Sequence, residues 1–154
     1  MRTRVTVRVK TKDAKFLGSS LAGAFVTLCD AWTGEVLASG RTYGTTGSTD
    51  RIVLSPQARG ERLSDEGSAK FEADLDLREP RQIEVTAFGP LGQLQSANRA
   101  ASRQWVIPGK HVTGGDGWML ELPGIAVGIL HPPAHSSIPS GEGQTRVRAN
   151  IIMM

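Results

Sequence analysis

The chain has 154 residues and a formal net charge of +3, and it contains 18 glycines and 8 prolines. That length suits one domain with its own apolar core, and the turn-forming residues favour an all-β fold over a helical bundle. A single cysteine, Cys29, excludes a disulfide framework within the chain, and the lack of an eighteen-residue apolar run excludes a membrane-spanning helix.

The first part of the sequence predicts three strands. Residues 2–11 alternate strictly, with valines and threonines on one face and mostly basic side chains on the other, which is typical of a half-buried antiparallel strand. Residues 21–29 and 35–41 are rich in β-forming residues and flank a turn at 30–34. We therefore expect these two segments to form a hairpin.

The middle of the sequence predicts a second hairpin. A short strand is indicated at 51–54, and a long loop follows it. Residues 70–77 and 82–87 alternate apolar with polar side chains around a turn, and this is the clearest hairpin pattern in the sequence. Residues 93–103 are polar and weakly patterned. The remaining predicted strands of this region are 104–107, 118–122 and 125–130.

The end of the sequence differs in composition from the rest. Residues 131–144 are rich in Pro, Gly and Ser and predict a linker after a β domain over 1–130. Residues 145–154 alternate again and predict a strand or tail, which could pair with its own sheet or with the edge of a neighbouring copy. With about nine short strands and no convincing helix, we predict an all-β fold of two packed antiparallel sheets.

One stretch carries a family resemblance. The run Gly23-Ala24-Phe25-Val26-Thr27-Leu28, followed by Asp30, Thr33-Gly34-Glu35-Val36-Leu37-Ala38 and Gly40, resembles transthyretin-like and carboxypeptidase-regulatory-like domains. The resemblance covers about residues 20–90. It implies an immunoglobulin-like sandwich of seven or more strands and by itself implies no chemistry.

Two enzyme groups related to such sandwiches are excluded by the residues present. Hydroxyisourate hydrolases of the transthyretin-like group carry a C-terminal Tyr-Arg-Gly-Ser and an N-terminal catalytic histidine, whereas here Tyr43 is the single tyrosine and the first histidine is His111. Intradiol dioxygenases bind iron through two tyrosines and two histidines, which one tyrosine cannot supply.

The three histidines are the candidate metal ligands. His131 and His135 bracket a diproline, and His111 lies in a Gly-rich loop, so three imidazoles could bind Zn or Cu. In an extended polyproline conformation, however, residues four apart are separated by about 12 Å. Both histidines could then reach one ion only if the segment bends, so a solvated linker with incidental histidines is favoured.

Other candidate sites are weaker. Asp116 with His111 and a serine could form a hydrolytic triad, but no Gly-x-Ser-x-Gly motif accompanies it. Residues 113–117 lack the lysine of a phosphate-binding loop and are better explained as a tight turn. Cys29 is predicted inside a strand on the face away from the core, where a packing role is favoured over a nucleophilic one. The three tryptophans, at 32, 105 and 118, are expected to pack at strand ends rather than to form a ligand platform.

Charge is concentrated at the start of the sequence. Residues 1–15 hold six basic side chains against Asp13 alone, while Glu72, Asp74, Asp76 and Glu84 form a complementary acidic face. Such a basic strand could serve an acidic protein or an anionic polymer, although nucleic acid is disfavoured because no aromatic residues are interleaved with the charges. The predicted interaction residues are Arg2, Arg4, Arg8, Lys10, Arg146 and Arg148.

These observations favour a non-enzymatic β-sandwich that binds a protein partner or itself as a homo-oligomer. The alternatives are a metal-binding protein or metal-dependent enzyme built on the three histidines, and a module that binds anionic polymers through the basic strand. With one thiol and no export signal in the sequence, we expect a cytoplasmic location.

Overall fold

The structure, a computed structural model, describes residues 1–138, 140–141 and 143–154. Within these residues the fold is mostly β, as predicted, with nine strands numbered here in chain order. They are β1 Arg2–Thr11, β2 Phe25–Asp30, β3 Val36–Arg41, β4 Phe71–Asp76, β5 Arg81–Gly89, β6 Asn98–Val106, β7 Trp118–Leu122, β8 Ile125–His131 and β9 Arg148–Met153.

Helical segments in the described chain are single turns. Ser19–Leu21 and Leu94–Ser96 are 3₁₀ turns, and Asp50–Leu54 is a π-helical turn. No helix among the described residues has the length and apolar character needed to cross a membrane.

The strands of the described chain lie in three sheets. Sheet A has the order β4-β1-β7, sheet B has the order β3-β2-β5-β6, and β8 pairs with β9 in a two-stranded β8–β9 ribbon. The prediction of two antiparallel sheets is therefore corrected in two respects. The ribbon is a third sheet, and β1 runs parallel to β7, with Val7 opposite Trp118 and Thr11 opposite Leu122. Side-chain alternation reports which face of a strand is buried but not the direction of its partner.

One apolar core joins sheets A and B. The alternating valines of β1 are fully buried, and so are Val26 and Leu28 of β2 and Ile83 and Val85 of β5. Ala126 of β8 and Met154 belong to the same cluster and tie the ribbon to it. A second, smaller cluster lies under the long loop between β3 and β4. Its members are Phe16, Ile52, Leu63 and Ala69.

The predicted hairpin at 70–87 is wrong, although both of its strands exist. β4 pairs with β1 in sheet A, whereas β5 pairs with β2 and β6 in sheet B. The short connection between them thus passes from one sheet to the other, with Leu77 buried and its N–H donated to the carbonyl of Met1 at 3.2 Å. Each strand shows the alternation of a half-buried strand, which neighbouring strands in two different sheets satisfy equally well.

Two other local predictions are corrected. Residues 51–54, predicted as a strand, belong to the π-helical turn Asp50–Leu54, which places Ile52 in the small cluster. Residues 98–103, predicted without regular structure, are the first part of β6. Because β6 is an edge strand with small or polar side chains on both faces, it lacks the apolar alternation that marks a strand in sequence.

The β8–β9 ribbon joins residues on either side of the predicted linker. β8 extends one residue into it, to His131, and β9 returns antiparallel with Val127 opposite Ile151. In this structure the end of the chain pairs with β8 of the same chain, which leaves pairing with a neighbouring copy a prediction.

Candidate functional site

The basic face of β1 lies against the acidic face of β4 in the same chain. The register places Arg4 opposite Asp74 and Arg2 opposite Asp76. Arg4 Nε and Nη2 donate to the two oxygens of Asp74 at 3.0 and 3.2 Å, and Arg2 Nη2 donates to the same carboxylate. The predicted complementarity is therefore satisfied within one chain by β4, which leaves less free charge for a partner, whereas Glu84, predicted as part of the acidic face, lies in sheet B and contacts Arg103.

A shallow cleft of about 610 Å³ opens beside these ion pairs. It is lined by Arg2, Arg4, Glu72, Asp74, His111 and Thr113. The backbone N–H of Arg4 donates to His111 Nδ1 at 3.0 Å, so one imidazole nitrogen is already occupied. Because the cleft presents both signs of charge and its pairs are exposed to water, it offers little net field for an anionic or cationic ligand.

Replacing Asp74 with asparagine is expected to change how the free energy of unfolding depends on pH in acid solution. The hydrogen bond from Arg2, followed by that from Arg4, holds the pKa of Asp74 far below its ordinary value of about 3.9. A carboxylate with a lowered pKa stabilises the fold above about pH 4, and this contribution is lost as the pH falls toward the folded-state pKa. Urea unfolding between pH 7 and pH 2 should show the difference between wild type and Asp74→Asn shrinking as the pH falls.

The control for this experiment is Glu66→Gln, which removes one carboxylate from an exposed turn. It matches the change in net charge without touching the Arg2 and Arg4 contacts. A stability difference for Asp74→Asn that stays constant down to pH 2 would show that the ion pairs do not act as described.

Arg8 is not on the surface with the other basic residues of β1. Its side chain is 3% exposed, and its Nη1 donates to the backbone carbonyl of Asp116 at 3.1 Å. The Asp116 carboxylate in turn accepts the backbone N–H groups of Leu63, at 3.1 Å, and Ser64, at 2.8 Å. Arg8 Nε has no hydrogen-bond partner among the described residues. We call Arg8, Asp116, Leu63 and Ser64 the Arg8–Asp116 clasp.

The contacts of the Arg8–Asp116 clasp do not support the hydrolytic triad of Asp116, His111 and a serine that the sequence suggested. Asp116 binds two backbone N–H groups, while His111 Nδ1 accepts the N–H of Arg4. Each of the two side chains therefore has another partner, and the clasp holds the loop that enters β7. That loop is the tight turn predicted at 113–117, with the Gly117 N–H bonded to the Gly114 carbonyl at 2.9 Å.

The remaining predicted interaction residues are placed separately. Lys10 is half-buried, and its Nζ donates to the neighbouring carbonyl of Thr11 at 3.3 Å. Arg146 and Arg148 are exposed near and within β9, and Arg148 lies opposite His131 in the ribbon. That these basic residues bind a partner stays a prediction. The exposed ones are Arg2 and Arg4 near the start of the sequence and Arg146 and Arg148 near its end.

The structure does not gather the three histidines into a recognisable metal centre. His111 lies beside β1, His131 ends β8, and His135 lies in the following loop with a φ of 62°. Among residues 1–138, 140–141 and 143–154, no group of three or more His, Cys, Asp or Glu side chains is placed to hold a metal ion. Zn or Cu binding stays a prediction without a geometric basis in these residues.

Cys29 and Trp118 pack within the fold as predicted, whereas Trp32 and Trp105 are exposed and the prediction that they pack is wrong. Cys29 is half-buried on the outer face of β2, away from the core, as predicted. Trp118 is buried and donates its Nε1 hydrogen to Ser102 Oγ at 2.7 Å, which joins β7 to β6. Trp32 and Trp105 are 77% and 60% exposed, respectively.

The β8–β9 ribbon presents an apolar face to solvent. Across this face Ile125 lies opposite Met153, Val127 opposite Ile151 and Ile129 opposite Ala149. The five large side chains are between 38% and 68% exposed. We call these six side chains the ribbon face. An exposed apolar patch of this kind is typical of an interaction surface.

The opposite face of the ribbon is anchored to the body of the protein. Ala126 is buried, and a Cβ on Gly128 would lie 2.1 Å from Gln93 Nε2. The backbone of the ribbon at Gly128 therefore packs against the Gln93 side chain too closely to leave room for a larger residue. The N–H of Met154 donates to the Gly124 carbonyl at 2.9 Å, and its carbonyl accepts Thr11 Oγ1 at 3.0 Å.

The two edges of the ribbon differ. On β8, Ser96 Oγ accepts the N–H of Val127 at 2.6 Å and Gln95 Oε1 accepts that of Ile129 at 2.7 Å, so side chains cover this edge. On β9, no strand of the described chain occupies the outer edge. Because Met154 N–H points toward Gly124, antiparallel alternation directs the backbone groups of Ala149, Ile151 and Met153 outward.

Sequence reasoning identified the two ribbon segments but not their joint surface. The apolar run 125–130 and the alternation around Ile151 were visible, yet only the register brings Ile125 beside Met153.

We found no match for this chain among models of known protein families, curated proteins or solved structures.

Proposed function

We propose that this protein is a non-enzymatic binding and assembly module that self-associates through the β8–β9 ribbon. The observation that carries the proposal is the ribbon face, an apolar sheet surface that is exposed over both strands. A second copy of the chain is the occupant, so the assembly is a homo-oligomer.

The open edge of β9 supports a second copy as the occupant. A two-stranded sheet is marginally stable in water, whereas three or more strands with an apolar face are stable. Antiparallel pairing of β9 with β9 of another copy makes a four-stranded sheet and continues the ribbon face across it. Such a pairing is two-fold symmetric, because each copy contributes the same strand.

We further propose that the body of the fold is related to the transthyretin-like sandwiches. The support is the β2–β3 hairpin, where the resemblance in sequence is strongest. Asp30 Oδ1 accepts the N–H groups of Trp32 and Thr33 at 2.9 Å each, and Gly34 takes the left-handed conformation that ends the turn. The turn residues of the shared motif thus have a structural reason for their identity.

Replacing Ile151 with lysine is expected to shift the assembly toward monomer. Ile151 is 67% exposed, so the substitution is tolerated in the folded chain, but it places a charge at the centre of the β9–β9 contact. In a two-fold β9–β9 pairing this replaces an apolar contact between neighbouring strands with repulsion between two lysines, and we expect the dissociation constant to rise about tenfold. Light scattering coupled to size-exclusion chromatography over a range of concentrations measures the mass.

Leu54→Lys is the matched control, because Leu54 is 69% exposed and lies outside the ribbon. It should leave the mass of wild type unchanged, and Val127→Lys on β8, which lies one strand away from the β9–β9 contact, should have a smaller effect than Ile151→Lys. A wild-type protein that stays monomeric at every concentration, or an assembly that Ile151→Lys leaves intact, contradicts the proposal.

A further inference from the structure

A row of two arginines and two phenylalanines crosses the outer face of sheet B. The register aligns Arg41 of β3 with Phe25 of β2, Phe25 with Phe88 of β5, and Phe88 with Arg99 of β6. Residues directly opposite one another in antiparallel strands project to the same face. The order across the sheet is therefore arginine, phenylalanine, phenylalanine, arginine.

Both aromatic rings of this row are open to solvent. Phe25 and Phe88 are each 43% exposed, while their neighbours Val26 and Ala87 are fully buried on the core side. A cleft of about 430 Å³ lies over the two rings and continues along Thr27 and Thr86. Solvated phenylalanines on two central strands contribute nothing to the core, so their position on this face needs another reason.

The two arginines leave positive charge at both ends of the aromatic pair. Neither Arg41 nor Arg99 takes part in an ion pair with the described residues. Arg41 instead lies over the ring of Tyr43, with 5.6 Å from its Cζ to the ring centroid. Elsewhere on the face the charge is compensated, since Arg103 Nε contacts Glu84 Oε2 at 2.5 Å.

A third aromatic ring marks the far end of the same face. Trp105 lies on β6 opposite Gln82 and is 60% exposed. Six residues of extended strand separate Trp105 from Arg99, which corresponds to about 20 Å along the sheet. The outer face of sheet B thus carries exposed aromatic rings near both ends of its strands, and near one of these ends it has two arginines that form no ion pair with the described residues.

We propose that this face binds single-stranded nucleic acid. Bases stack on Phe25 and Phe88, and Arg41 and Arg99 bind the phosphates on either side. Aromatic side chains on a sheet flanked by cations recognise unpaired bases in this way, whatever their sequence. A duplex keeps its bases stacked on each other and offers nothing to the two rings. This surface is separate from the ribbon face, so the inference does not depend on self-association.

Fluorescence anisotropy with labelled 15-mers of deoxythymidine and uridine tests the proposal. At low salt we expect wild type to bind with a dissociation constant of about 1–100 µM. Phe25→Ala and Phe88→Ala should each weaken binding about fivefold or more, because one stacked base is lost. Phe25→Trp should retain binding, since it keeps an aromatic ring at the same place.

The salt dependence separates the role of the arginines from that of the rings. Arg41→Gln and Arg99→Gln should each reduce the slope of log affinity against log salt concentration by about 0.7, the value for one phosphate contact on a single strand. The two phenylalanine variants should keep the slope of wild type. Arg59→Gln, an exposed arginine in the loop between β3 and β4, is the matched control and should change neither affinity nor slope.

Three results would overturn the proposal. The first is no change in anisotropy with up to about 100 µM protein at low salt. The second is equal affinity for single strands, duplex DNA and heparin, which would identify a general polyanion surface. The third is unchanged affinity in Phe25→Ala and Phe88→Ala proteins that circular dichroism shows to be folded, which would leave the face to a protein partner.

Discussion

Replacing Asp116 with alanine is expected to lower the free energy of unfolding by about 3–5 kcal/mol, because two hydrogen bonds to a charged group are lost. The substitution removes the acceptor for the N–H groups of Leu63 and Ser64 and the nearest negative charge to Arg8. Arg8 is 3% exposed, and burial already lowers its pKa, so the substitution removes the carboxylate that offsets this effect most, ahead of Glu72 and Asp65. Urea unfolding followed by circular dichroism at pH 7 measures the loss.

Asp116→Asn separates the hydrogen bonds from the charge. The amide oxygen still accepts the Ser64 N–H, so we expect a smaller loss of about 1–3 kcal/mol. Burial raises the pKa of Asp116, but the N–H groups of Ser64 and Leu63 outweigh it, and the pKa lies below its ordinary value. The stability due to this charge is therefore present above about pH 4 and lost as the pH falls further.

Two measurements would contradict the clasp as described. One is a loss for Asp116→Ala below about 1 kcal/mol, the size expected of an ordinary surface substitution. The other is an Asp116→Asn difference that does not shrink between pH 7 and pH 3, since wild type then gains nothing from ionising this carboxyl.

Replacing Phe16 with alanine is expected to destabilise the protein by about 3–5 kcal/mol. Phe16 is fully buried and is the largest side chain of the cluster with Ile52, Leu63 and Ala69. Its removal leaves a cavity beneath the loop between β3 and β4. Hydrogen exchange should therefore accelerate most at the amides of Thr45 and Ile52, which bond within that loop, and least in the strands of sheet B.

Phe25→Ala is the matched control for the cavity, because it removes the same side chain from a 43% exposed position on the outer face of sheet B. We expect a cost below about 1 kcal/mol, since little apolar surface is taken from the core. Equal losses for the two variants would show that Phe16 does not anchor the loop as its burial indicates.

Local chemistry explains the parts of the fold that were predictable. Strand β1 has the predicted limits, Arg2–Thr11, because its valines face the core while Arg2 and Arg4 face water, although Arg8 of the same strand is buried. The β2–β3 hairpin is confirmed because Asp30 and Gly34 suit one turn. The hairpin predicted at 70–87 is wrong because alternation does not say which sheet a strand joins.

The candidate surfaces were predictable only in part for the same reason. The acidic face around Asp74 was identified as the counterpart of the basic strand, and it lies against Arg2 and Arg4. The pairing of Phe25 with Phe88 was missed, since the two residues are far apart in sequence and meet only through the register of β2 and β5. The sequence did indicate that both rings are exposed, because each phenylalanine stands at a position of its strand that alternates with the core-facing residues.

The position of β1 at the centre of sheet A has a consequence during synthesis. Both strands that flank it, β4 and β7, are made later, and Trp118 emerges more than a hundred residues after Thr11. At about 5–20 residues per second, β4 follows β1 after about 3–12 s and β7 after about 5–20 s, so β1 has both edges open for the shorter interval and one edge for the longer. Its alternating arginines and lysines keep neighbouring nascent chains from pairing with those edges. Charges that end in ion pairs with Asp74 thus first act to keep the unfinished chain in solution.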